Sequence, residues 1–183
     1  MPEIDPVTDA SVRSDLEDVL EECEERGTPG TKAIKILAHR PDVARTFVDN
    51  WNASFYEGTI DHTLKELVRA HLANLHGCEY CSSVGSNVAR EQGLTDEKVR
   101  ALAQFESCDL FTEEERVAIR FAEAFYNNQH QYDELHEHFD DGEIIELVWF
   151  VSLQDAGEKF VTSMDLRPGS CEIPDDHPLA DAE

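Results

Sequence analysis

The stretch DHTLKELVRAHLANLHGCEYCSSVGSNVAREQG, residues 61–93, decides how the rest of the chain reads. Asp61 is placed to cap a helix whose apolar residues Leu64, Leu67, Val68, His71, Leu72 and Leu75 recur at steps of three and four. Glu66, Ala70, Ala73 and Gly77 follow the same period on one face, so a carboxylate precedes three small residues and a partner helix can approach closely. Gly77 ends this helix, and Cys78 is expected to start another that runs to Gly93. Folded back as an αα-hairpin, the pair would set Glu66 opposite Gly85 to Val88. Gly85 would then sit one turn beyond Cys81, on the same face.

The helical period continues outward in both directions. Upstream, Val12, Leu16, Val19, Leu20 and Cys23 form a stripe stopped by Gly27 and Pro29. A short segment with Ile34, Ile36 and Leu37 follows. Pro41 opens a helix whose face carries Val43, Ala44, Phe47, Val48, Trp51 and Phe55, ended by Gly58. Downstream, Thr95 caps one helix, and Thr112 with Glu115 makes a capping box ahead of Val117, Phe121, Ala124 and Phe125. Residues from Ile144 to Leu153 are apolar on nearly every side. They read as a buried helix and not a strand, because acidic residues precede them and no partner strand is evident. The expected fold is all-α, a compact antiparallel helical bundle over residues 11–167, with irregular segments at 1–10 and 168–183.

Composition narrows the function. The 183 residues carry 40 Asp and Glu against 15 Lys and Arg, a formal net charge of -25. Such a field disfavours nucleic acid and anionic membrane as partners. No apolar run is long enough to span a bilayer, and the acidic start lacks the marks of a secretory leader, so a cytoplasmic location is expected. The acids are dispersed and Lys is sparse, a pattern suited to a cytosol of high salt. We therefore expect a halophilic source.

Cys78-Glu79-Tyr80-Cys81 carries the chemistry. At a helix start, unpaired backbone N–H groups and the helix dipole favour a thiolate, while Glu79 opposes it. The spacing lets the two sulfurs cycle between dithiol and disulfide. Two other readings stand beside this one. The cysteines are reduced, half-buried thiols, or His71, His76, Cys78 and Cys81 ligate zinc. Zinc is disfavoured because His71 and His76, five apart on one helix, point in different directions. No cofactor and no metal are expected. Cys23 and Cys108 read as small core residues, and Cys171 has no evident partner.

The stretch LAHRPDVARTFVDNWNASFYEGTIDHTLKELVRAHLANLHGCEYCSSVGSNVAREQGL, with the closing EIIELVWFVSL, resembles the alkyl hydroperoxide reductase D-like (AhpD-like) branch of the carboxymuconolactone decarboxylase superfamily. The likeness covers roughly residues 31 to 160. That branch has a Glu, twelve residues to a Cys-x-x-Cys, then a His four after the second Cys. Glu66, Cys78 and Cys81 match; the relay position holds Gly85. The resemblance implies that Cys81 attacks a peroxide or disulfide substrate, that Cys78 resolves the intermediate and that Glu66 supports proton transfer. It also implies a homo-oligomer, trimer or hexamer. His71 and His76 are the candidates to replace the missing imidazole, and His71 joins Cys81, Cys78 and Glu66 in the expected catalytic set. The expected function is a thiol-dependent peroxidase or disulfide reductase recharged by an external dithiol donor. A lactone-decarboxylating lyase and a non-catalytic redox sensor are the alternatives.

Overall fold

The computed structural model describes residues 2–8, 14, 16–129 and 131–168, and every regular element among them is helical. The helices are α1 (Glu17–Arg26), α2 (Thr31–Leu37), α3 (Pro41–Trp51), α4 (His62–Leu75), α5 (Glu79–Ser83), α6 (Asn87–Glu91), α7 (Asp96–Arg100), α8 (Glu113–Tyr126), α9 (Leu135–His138) and α10 (Asp141–Ser163). A π-helical turn at Asn52–Tyr56 extends α3, and a 3₁₀ turn at Ala101–Gln104 extends α7. The protein is all-α.

The caps follow from local chemistry. Asp61 accepts from the Thr63 and Leu64 amides, and Thr112 and Glu115 form the reciprocal box at the start of α8. Asp140 and Glu143 form a second such box at α10. Gly27 ends α1 at φ +82°, a backbone geometry costly for any side-chain-bearing residue. A Cβ there would also lie 2.3 Å from the Gly85 carbonyl oxygen, so this glycine lets the α1 end meet the segment after the cysteines.

The central helix is α4, buried along most of its length and packed on α8, α10 and α5. Leu67, Val68, Leu72, Ile119, Leu147, Phe150 and Val151 fill the main core with Trp51 and Phe55. Phe55 stacks on Phe150 at 5.0 Å. An ion pair sits within this apolar mass. Lys65 Nζ, 1% exposed, lies 2.8 Å from Glu146 Oε1 and donates to the Ser54 and Glu57 carbonyls. It ties α4, the π-helical turn and α10 together.

Three expectations need correction. The helix expected from Cys78 to Gly93 is two short helices, α5 and α6, separated by an extended Val84 and a Ser86 that caps α6. Val43 does not share the buried face of α3 but is 43% exposed. The α10 segment is a helix as expected, yet Ile145 and Trp149, one turn apart, project outward. Val12, Cys171 and residues 169–183 lie outside the described residues.

Candidate active site

The break between α5 and α6 has a specific cause. Arg69 projects from α4 into the bundle, and its guanidinium donates to the carbonyls of Cys81 (2.9 Å) and Val84 (2.8 Å). A continuing helix would turn those carbonyls inward along its own axis. Instead a buried cation takes them, and the chain swings out. Glu66, one turn back on α4, balances the charge through a two-point pair, Arg69 Nε to Oε2 at 2.7 Å and Nη2 to Oε1 at 2.8 Å. Such fork-to-fork contacts are the strong form of the ion pair. Glu66 also accepts from the Ser86 amide at 3.2 Å. The Ser86 hydroxyl lies 2.8 Å from His62 Nε2, whose other ring nitrogen lies 3.0 Å from the Phe55 carbonyl. Glu66 is therefore committed to holding the cysteine segment in place.

Cys78 and Cys81 are joined as a disulfide with Cα atoms 5.2 Å apart. Cys78 is the N-cap of α5, and the Cys81 amide donates to its sulfur at 3.1 Å. Both residues are buried, but their surroundings differ. Cys81 lines a cavity of about 60 Å³ bounded by Phe47, Trp51, Tyr80, Phe160 and Glu158; Cys78 does not. A larger groove, about 430 Å³, lies along α1 and α2 and is lined by Glu17, Glu21, Glu24, Thr31 and Lys35, with no cysteine. The chemistry therefore belongs to the smaller space.

The histidines divide. His71 is not in the site: its Nε2 lies 3.3 Å from Glu123 on α8, and its ring packs edge-on against Phe105. Burial lowers its pKa despite Glu123. The helical period places it correctly in the core, but its catalytic assignment is corrected, because the face of α4 that carries it packs on α8 and not on α5. His76 hydrogen-bonds Asp155 at 2.9 Å, so the two imidazoles do not converge on a common metal with the cysteines. Gly85 does abut Glu66: a Cβ there would lie 3.3 Å from Oε1.

Glu158 is the residue that sequence reading missed. It projects from α10 into the cavity wall, 1% exposed. Gln154 donates to its Oε1 at 2.5 Å, and among the described residues Oε2 has no hydrogen bond. His76 Nε2 comes within 3.3 Å of that oxygen but spends its hydrogen bond on Asp155. Burial pushes the Glu158 carboxyl up to about 8, against the pull of Gln154 and the charge of Arg69. A charged residue one turn after Gln154, on the inner stripe that Ile144, Leu147 and Val151 begin, was the available signal. Elsewhere burial pushes the Cys23 thiol up to about 12, which leaves it an inert core residue.

This helical bundle recurs among solved structures. The fold is similar to the debrominase Bmp8, solved in complex with 2,3,4-tribromopyrrole (TM-score 0.80, 23% identity, 93% of each chain). It is also similar to an alkylhydroperoxidase AhpD core, the uncharacterised peroxidase-related protein of Ralstonia eutropha JMP134 (TM-score 0.64, 17% identity, 88% of this chain and 87% of that one). The model of the carboxymuconolactone decarboxylase family matches residues 41–124. The uncharacterised protein YnjA of Escherichia coli K12 is 31% identical over 122 residues, 63% of this chain and 67% of YnjA. The chain belongs to the carboxymuconolactone decarboxylase family, and its fold is AhpD-like. Among the described residues no helix is long and apolar enough to cross a membrane.

Proposed function

We propose that the protein is a thiol-based oxidoreductase that reduces small organic hydroperoxides, with Cys81 as nucleophile and Cys78 as resolving thiol. The observation that carries this reading is that Cys81, not Cys78, faces the cavity, while Cys78 holds the N-cap position of the same helix. An N-cap amide favours the Cys78 thiolate, which is the form needed to attack an oxidised Cys81.

The cavity size supports a substrate of few heavy atoms. On the same measure one water needs about 10–15 Å³, and drug-sized pockets run to about 300–1,000 Å³. A space of about 60 Å³ suits a short hydroperoxide better than a bulky disulfide. The walls also disfavour a lactone carboxylate. Arg69 is the cation there, and its charge is taken by Glu66 and two carbonyls, so the cavity offers no free positive charge to hold an anion.

The aromatic lining of Phe47, Trp51, Tyr80 and Phe160 favours a second reading, reductive removal of bromine from a small heteroarene, the kind of molecule bound in the Bmp8 complex. The two share the nucleophile and differ in the electrophile. Replacing Cys81 with Ser should abolish turnover of ethyl hydroperoxide and prevent the Cys78–Cys81 disulfide seen by mass mapping. Undiminished peroxide consumption in C81S would refute the assignment. Debromination of a bromopyrrole by wild type inert to hydroperoxides would select the second reading.

A further inference from the structure

The AhpD-like pattern places an imidazole at the position of Gly85, and the structure holds Glu66 in a two-point pair with Arg69. Neither can trade protons with a substrate in the cavity. Yet thiolate attack on a hydroperoxide expels an alkoxide, which in an apolar space is a poor leaving group unless a proton reaches it. We infer that Glu158 is the general acid of this site: neutral at rest, it delivers its proton to the departing alkoxide oxygen and regains one from solvent before the next turnover. The assignment rests on the peroxidase reading given above.

Two structural observations carry it, and the electrostatics agree with them. Glu158 and Cys81 line the same cavity from opposite helices, α10 and α5. The Glu158 carboxyl is 1% exposed, and among the described residues its Oε2 has no hydrogen-bond partner, His76 Nε2 lying 3.3 Å away but bonded to Asp155, although buried carboxyl oxygens are seldom left so. An oxygen reserved for a transient partner satisfies that account. Finally, burial favours the neutral acid as resting form, and the groups around it do not overcome it. Asp155 on α10 adds negative charge and Arg69 on α4 opposes it. His76, just past α4, is turned to Asp155, and Tyr80 on α5 is held neutral by burial. Burial outweighs the rest, so the carboxyl stays protonated through neutral pH.

The step balances. Cys81 thiolate attacks the terminal oxygen of the hydroperoxide; an S–O bond forms as the O–O bond breaks, and sulfur is oxidised to the sulfenic acid. The electron pair of the broken bond leaves on the alkoxide, which takes the Glu158 proton and departs as alcohol. Cys78 thiolate then attacks Cys81 Sγ, forming the disulfide and releasing hydroxide, which is protonated to water. An external dithiol returns two electrons and two protons.

The test compares wild type with E158Q, which keeps shape and removes the acid. Each protein is reduced, freed of reductant and followed in two single-turnover reactions, with ethyl hydroperoxide and with iodoacetamide. Alkylation by iodoacetamide expels iodide, which needs no proton, so it reads the thiolate alone. E158Q should react with the hydroperoxide at least about 10²-fold more slowly, the range for loss of a positioned acid. Its alkylation at alkaline pH should match or exceed wild type. The wild-type peroxide rate should also fall as pH rises through about 8, a limb absent from E158Q. A peroxide rate within about threefold of wild type, or equal losses in both reactions, overturns the inference and leaves the peroxidase reading standing. Wild type that alkylates at Cys81 but is inert to hydroperoxide overturns that reading, and this inference with it.

Discussion

The buried carboxyl of Glu158 should make the fold less stable as pH rises, and the size of the effect follows from its surroundings. Unfolded, the group titrates at 4.5; folded, burial pushes it up to about 8. The folded state therefore binds the proton more tightly, so its contribution is fully present below 4.5 and is lost as pH climbs to about 8. At ~1.36 kcal/mol per pH unit, the whole span corresponds to ~5 kcal/mol. Between about pH 5.5 and about pH 8.5 the two titration curves give ~3 kcal/mol. E158Q has nothing to titrate at that position, so its stability relative to wild type should rise by that amount over the same interval. Guanidinium denaturation of both proteins, disulfide intact and salt fixed, measures it. The remaining carboxylates are common to both and cancel in the difference. A difference that stays flat within about 1 kcal/mol would refute the reasoning.

Two further perturbations test the scaffold. Lys65→Met leaves Glu146 largely buried without its cation and should cost about 3–5 kcal/mol, with much of the loss recovered when Glu146→Leu is added; additive losses in the double variant by denaturant titration would contradict this. With a net charge of -25, the melting temperature should rise as KCl goes from about 0.1 M to about 1 M and the screening length shrinks from about 10 Å to about 3 Å. A flat or falling trend by calorimetry would remove the case for adaptation to high salt.

What could be read in advance was local. Asp61, the Thr112–Glu115 box and Gly27 act within one turn of the helix ends they define, so their residue types suffice. The course of residues 78–93 could not be read that way. Their local pattern suits a continuous helix, and what breaks it is a guanidinium arriving from α4, fifteen residues before the Val84 carbonyl it binds. The period of α4 put His71 inside the core, but period alone does not say which neighbouring helix a buried side chain meets. Glu158 stayed hidden for the same reason: its burial depends on α4, α5 and the Thr28–Gly30 turn closing over α10.

The same contacts explain why a matching motif need not preserve a matching mechanism. The spacing of Glu66, Cys78 and Cys81 fits a proton relay, yet here the carboxylate is held by Arg69 and the Ser86 amide. Releasing it for catalysis would strip the charge balance from a buried guanidinium and free the two carbonyls that set Cys81 at the cavity wall. A carboxylate that secures the nucleophile cannot also change its charge in each cycle without loosening what it secures. The two tasks separate when another group lines the same cavity as Cys81, and Glu158, neutral at rest and hydrogen-bonded to Gln154 of its own helix, can lose a proton without disturbing the cysteine segment.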